Sequence, residues 1–171
     1  MAKSDDHKKK NPARLDAEHW KTEPDEHDYP AAGDYLSLLC SDEEVHRLVD
    51  GLKCAPLVHR KAKDLLRASR LPLLGVDNFH VGEDLEKVRR GERLSPVLLV
   101  RGDFTSGVAL TVADGYHRIC ASYHLSENAE IPCRIVEQVQ PAGALSPRST
   151  ASEPTGEPAE PPVVTRRPAP T

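Results

Sequence analysis

The residues best placed to do chemistry lie together, in Val112-Ala113-Asp114-Gly115-Tyr116-His117-Arg118. A short apolar, β-branched run leads into Asp114-Gly115, and a helical pattern begins at Tyr116, so a strand turns directly into a helix. The free N–H groups and aligned dipoles of a helix start favour an anion. Gly115 lets a ligand approach the backbone, while His117 and Arg118 add charge-assisted donors for phosphate oxygens, Arg118 with a guanidinium that can grip two at once. Asp114 adds an oxygen that could hold Mg²⁺ beside a phosphate or orient an attacking hydroxyl. The same residues also allow a plainer reading, with Gly115 as a turn residue, Asp114 as a helix cap and His117 and Arg118 on a solvated first turn. Residue types alone leave both open.

That turn must be held by other elements, and the periodic apolar pattern that could supply them runs from residue 34 to residue 140. Ser41 and Glu44 match a capping box, and Val45, Leu48, Val49 and Leu52 follow at helical spacing. Pro56 suits the first turn of a second helix, running through Val58, Ala62, Leu65 and Leu66 to Leu71-Pro72. Leu73 and Leu74 suggest a short strand, and residues 82–90 a third helix with acids at its start and arginines at its end. Residues 97–101 and 108–112 read as a strand hairpin, residues 116–125 as a helix and residues 131–139 as a closing strand. This order predicts an α+β fold, a small mixed sheet with flanking helices in about 105 residues.

Composition bounds the rest. The chain has 171 residues, of which 38% are hydrophobic and 4% aromatic, so one compact core does not account for all of it. Residues 1–33, with eight acids and six bases, are expected to be a disordered N-terminal segment, and residues 141–171, with eight prolines, a disordered Pro-rich tail. No apolar stretch is long enough for a membrane span, and the charged start is unlike a secretory signal, so the expected location is the cytoplasm with no membrane partner. The net charge of −4 does not recruit nucleic acid, although His59, Arg60, Lys61, Lys63, Arg67 and Arg70 form a local basic stretch. Cys40, Cys54, Cys120 and Cys133 form no C-x-x-C pair, and the eight histidines show no zinc-protease spacing.

Three segments together carry a resemblance: Ser95-Pro96-Val97-Leu98-Leu99-Val100, Asp114-Gly115-Tyr116-His117-Arg118 and Ile131-Pro132-Cys133-Arg134-Ile135-Val136. In this order the stretch from about residue 74 to residue 139 resembles the ParB/sulfiredoxin superfamily. The resemblance implies a ParB N-terminal-like nucleotide-binding domain whose turn binds nucleotide phosphates, ATP in sulfiredoxins and free serine kinases and CTP in ParB clamps. It implies that Gly115, His117 and Arg118 match the phosphate-binding turn and that Lys87 resembles a nucleotide-contacting lysine.

Departures from the family narrow the activity. Tyr116 stands where sulfiredoxins carry their catalytic cysteine, so repair of sulfinic acids is not expected. Cys120, one helical turn on, reads as a small core residue. ParB clamps follow this domain with a helix-turn-helix region, whereas a Pro-rich tail follows here. The remaining expectation is a nucleoside triphosphate-binding protein with ATP or CTP and Mg²⁺, in which Asp114 is the catalytic and metal-binding carboxylate of an NTPase or kinase-like phosphotransferase. The acceptor would be an unidentified small molecule or protein. Asp77, Glu83 and Asp84 are further carboxylates near the matched helix. The alternative is a noncatalytic regulatory or DNA-associated adaptor with the same fold, DNA being the less favoured partner.

Overall fold

Alternating side chains along the central strands decide how the layers form. In the computed structural model, which describes residues 19–138, the elements in chain order are α1 (Asp28–Leu36), α2 (Asp42–Cys54), β1 (Leu57–Lys61), α3 (Ala62–Ser69), α4 (Phe79–Arg89), β2 (Val97–Val100), β3 (Thr111–Asp114), α5 (Tyr116–Leu125) and β4 (Glu130–Val136). The strands form one mixed sheet in the order β1-β4-β2-β3. β4 runs antiparallel to β1 and parallel to β2, and β2 runs antiparallel to β3.

β2 is buried on both faces. Val97 and Leu99 join the core formed with Leu65, Val81, Leu85 and Ile119, from α3, α4 and α5. Leu98 and Val100 point the other way, into a second core with Tyr29, Ala32, Leu36, Leu48 and Leu52, from α1 and α2. The fold is therefore α+β, a four-stranded mixed sheet covered by helices on both faces.

Local signals explain several boundaries. The Ser41 hydroxyl accepts the Glu44 N–H at 3.5 Å, as the capping box predicts. The β2–β3 hairpin and α5 form where expected, with β3 shifted to residues 111–114. α4 starts at Phe79 rather than at residue 82, because the Asn78 side chain accepts the N–H groups of His80 and Val81 and so caps an earlier turn.

Three expectations are corrected. The helix expected from Pro56 is strand β1 followed by α3. Val58 lies four residues before Ala62, so a genuine helical repeat in α3 extends falsely backward across a strand that pairs with β4. Leu73 and Leu74 form no strand: Tyr116 donates its hydroxyl to the Pro72 carbonyl, and a His124 ring nitrogen lies 2.7 Å from the Leu74 carbonyl. Side chains there replace a strand partner. Within residues 1–33, expected to be disordered, the described part from residue 19 onward is folded. Trp20 is buried and bridges Leu94, and Tyr29 and Ala32 are core residues of α1. Trp20 and the Tyr29, Ala32, Leu36 spacing provide the apolar surface that the overall composition conceals. Residues 1–18 and the expected tail of residues 141–171 lie outside the described residues.

Candidate functional site

Gly115 occupies the point where β3 passes into α5, and the local backbone admits only glycine. Its φ is +97°, and a Cβ there would lie 2.5 Å from Cγ1 of Val97. Just before it, the β2–β3 pairing contains a bulge: the consecutive residues Leu98 and Leu99 face Asp114 and Val112, so Ala113 is the extra residue. Such a bulge re-aims the side chain beside it. The Asp114 carboxylate is not a cap, since α5 has no side-chain cap hydrogen bond. It instead receives Arg118 Nη2 from one helical turn on. The plain reading of Asp114 as a helix cap is thereby set aside.

Arg118 is nearly enclosed, its side chain 13% exposed, and it holds more than Asp114. It donates to Asp28 through Nη1 at 3.3 Å and Nη2 at 3.4 Å, and to the Ser95 carbonyl at 3.1 Å. Asp28, at the start of α1, also receives the Ser95 hydroxyl and the Asp25 N–H, the latter at 3.1 Å. Two carboxylates from separate elements thus share one guanidinium. Burial alone would raise the Asp28 carboxyl, but Arg118, Ser95 and the Asp25 N–H outweigh it and hold it below the usual carboxylate value. Asp114 moves the opposite way. Burial raises it, Arg118 opposes, and the Asp28 charge adds to the rise.

This network forms one wall of a cavity of about 440 Å³. Asp114, Gly115, His117 and Arg118 reach it from the β3–α5 turn, and Lys87 reaches it from α4, so the sequence-selected residues converge. Lys87 pairs with Asp84 at 3.0 Å. His117 packs against His80 of α4, with ring centroids 4.8 Å apart. Burial, then the neighbouring His80, lowers the His117 pKa against the pull of Asp84, which favours the neutral ring. Of the further carboxylates considered, Glu83 and Asp84 line the cavity, whereas Asp77 does not.

Sequence reasoning did not select Asp28, Ser95, Lys21, His80 or Arg93, all of which line the same cavity. Ser95 lay within a matched segment, beside Pro96. The only local signal at Asp28 is its place as the acidic first-turn residue of a helix whose buried apolar residues, Tyr29, Ala32 and Leu36, are few and widely spaced. Tyr116 turns its hydroxyl to Pro72, and burial raises the thiol of the fully enclosed Cys120, consistent with a packing role. The basic stretch is divided between edge strand β1 and α3, and parts of it are neutralised, Lys63 by Glu127 at 3.3 Å and Arg67 by Asp64 at 2.9 Å. Comparison with known proteins finds no protein-family model, curated protein or solved structure that matches this chain.

Proposed function

We propose that this is a cytoplasmic, ParB/sulfiredoxin-like protein that binds a nucleoside triphosphate, ATP or CTP, in the cavity between α4 and the β3–α5 turn. The observation that carries the reading is that Lys87 of α4 lines the same cavity as Asp114, Gly115, His117 and Arg118 of the contiguous β3–α5 turn. A strand that ends in a positive-φ glycine at the start of a ten-residue helix suits an anion. The flanking histidine and lysine add donors. No helix among the described residues is long and apolar enough to cross a membrane.

Among the described residues no group of three His, Cys, Asp or Glu side chains could hold a metal by itself. In this reading Mg²⁺ would arrive as an ion carried by the phosphates, with Asp114 as its protein carboxylate, a mode in which Mg²⁺ keeps most of its other ligands as water and phosphate. It would neutralise charge on the transferred phosphoryl group. In this reading Asp114 would orient a water or acceptor hydroxyl as the new P–O bond forms and the bond to the leaving nucleotide breaks, the hydroxyl proton passing to solvent. The acceptor is water, a small molecule or a protein side chain.

A second reading, a noncatalytic adaptor that binds nucleotide without consuming it, draws on a specific observation: the Asp114 carboxylate is already engaged by Arg118. One experiment addresses both. Melting temperatures are measured with ATP, CTP, GTP and ADP, each with and without Mg²⁺, since a ligand at a hundredfold excess over its Kd stabilises the native state by about 2.7 kcal/mol. The proposal expects a shift with ATP or CTP, larger with Mg²⁺, and phosphate release or transfer that Asp114→Asn removes while sparing binding. A shift without turnover selects the adaptor. No shift with any nucleotide refutes nucleotide binding altogether.

A further inference from the structure

Four lysines and arginines line the cavity, and three of them already hold carboxylates. Lys21 binds Asp25 through both oxygens, at 2.9 and 2.7 Å. Lys87 binds Asp84, and Arg118 is shared by Asp28 and Asp114. The fourth, Arg93, lies in the α4–β2 connection, exposed, with no ion pair or hydrogen bond from its side chain among the described residues. Its acidic neighbour Glu92 is taken by Arg90 Nε at 2.6 Å.

The backbone on either side of Arg93 is fixed. The Glu92 N–H donates to the Lys87 carbonyl at 2.9 Å, continuing the end of α4. The next residue, Leu94, is buried and bonded in both directions to the N-terminal segment: its N–H donates to the His19 carbonyl and its carbonyl accepts the Lys21 N–H, each at 2.8 Å. Ser95 is tied to Asp25 and Asp28. A guanidinium with no partner among the described residues is therefore mounted on an anchored strip of chain at the cavity wall. Most of the ordering cost of binding is already met by the backbone, and only the side chain remains to be fixed.

We propose that Arg93 is the arginine that grips the ligand's phosphate oxygens, while Arg118 acts as a positioning residue that fixes Asp114 and Asp28. This inference rests on the nucleotide-binding reading above and deepens it. A guanidinium whose donors already face two carboxylates has no free pair of N–H groups to offer a phosphate, whereas Arg93 offers its full planar fork. Arg93 and the α5 start line the same cavity, and an anion that meets both must present oxygens to both, so the ligand class is a polyphosphate.

The test titrates inorganic tripolyphosphate and ATP, each with Mg²⁺, into the folded full chain. Wild type, Arg93→Ala, Arg93→Lys and, as a control on α3 away from the cavity, Arg67→Ala are compared after equal melting temperatures have been established. Loss of a charged, two-pronged contact predicts at least about tenfold weaker binding of both ligands by Arg93→Ala. Arg93→Lys should recover part of the loss and Arg67→Ala should match wild type. Wild-type binding that Arg93→Ala leaves unchanged overturns the assignment of Arg93 and leaves nucleotide binding standing. A wild type that binds neither ligand overturns both.

Discussion

At the residue scale the site is a balance between charges that bind each other and charges left for a ligand. Asp28, Asp114 and Arg118 satisfy one another in a nearly enclosed network. His117 stands outside that network, against His80, with burial holding its imidazole below the ordinary value of 6.5 and hence neutral near pH 7. A phosphate beside it would favour the protonated ring, so binding takes up a proton and affinity rises as the pH falls through the histidine range. Measured between pH 8 and pH 6, the dissociation constant for ATP should drop in wild type, and His117→Gln should flatten that slope. Identical slopes would place His117 outside the phosphate contacts. The turn itself was legible in the sequence because Asp114-Gly115 stands between an apolar, β-branched run and a helical pattern, where turn residues are expected, and His117 and Arg118 follow closely. Asp28 was not, because its role depends on Ser95 and Arg118, 67 and 90 residues away, and pairings over such separations leave no local pattern.

At the element scale the misplacements share a physical origin. Helical spacing is a strong signal inside an element and a weak one at its edge. Ala62, Leu65 and Leu66 genuinely repeat in α3, and Val58 satisfies the same spacing from within β1. The sequence points to too late a start for α4 because the acids Glu83 and Asp84 resemble a first turn, while the actual cap is Asn78, whose side-chain carbonyl oxygen accepts the His80 N–H at 3.1 Å and the Val81 N–H at 3.3 Å. α4 carries Lys87 and His80 to the cavity, so fraying its first turn should matter beyond stability. Asn78→Ala is expected to lower unfolding free energy by about 1 kcal/mol, the usual worth of an N-cap. Denaturant unfolding measures the loss, and amide hydrogen exchange at His80 and Val81 should rise with it. Unchanged exchange at those two amides would show that tertiary packing alone fixes the start of α4.

At the scale of the whole molecule, the segment just before α1 belongs to the site as well as to the core. The strip from residue 19 to residue 28 supplies Trp20 to the packing around Leu94 and places Lys21, Asp25 and Asp28 on the cavity wall. α1 then covers one face of the sheet with Tyr29, Ala32 and Leu36. Average polarity over residues 1–33 hid this because a few large apolar residues do the burying, and a mean over charged neighbours dilutes them. A chain shortened to begin at residue 34 would lose Trp20, Tyr29 and Ala32 from the two cores and Asp28 from Arg118. Removing a buried aromatic side chain costs about 3–5 kcal/mol, and removing the partner of a buried charge costs a similar amount. Typical domains have only about 5–15 kcal/mol of stability in all. The shortened chain is therefore expected to unfold without a cooperative transition, while Trp20→Phe in the full chain, which retains most of the ring volume, should unfold cooperatively at a modestly lower temperature. Trp20 is the only tryptophan, so its fluorescence follows the wild-type transition, and circular dichroism follows the other two proteins. A sharp transition at the wild-type temperature in the shortened chain would show that the sheet and the remaining helices suffice, and that α1 and its leading strip serve the cavity alone.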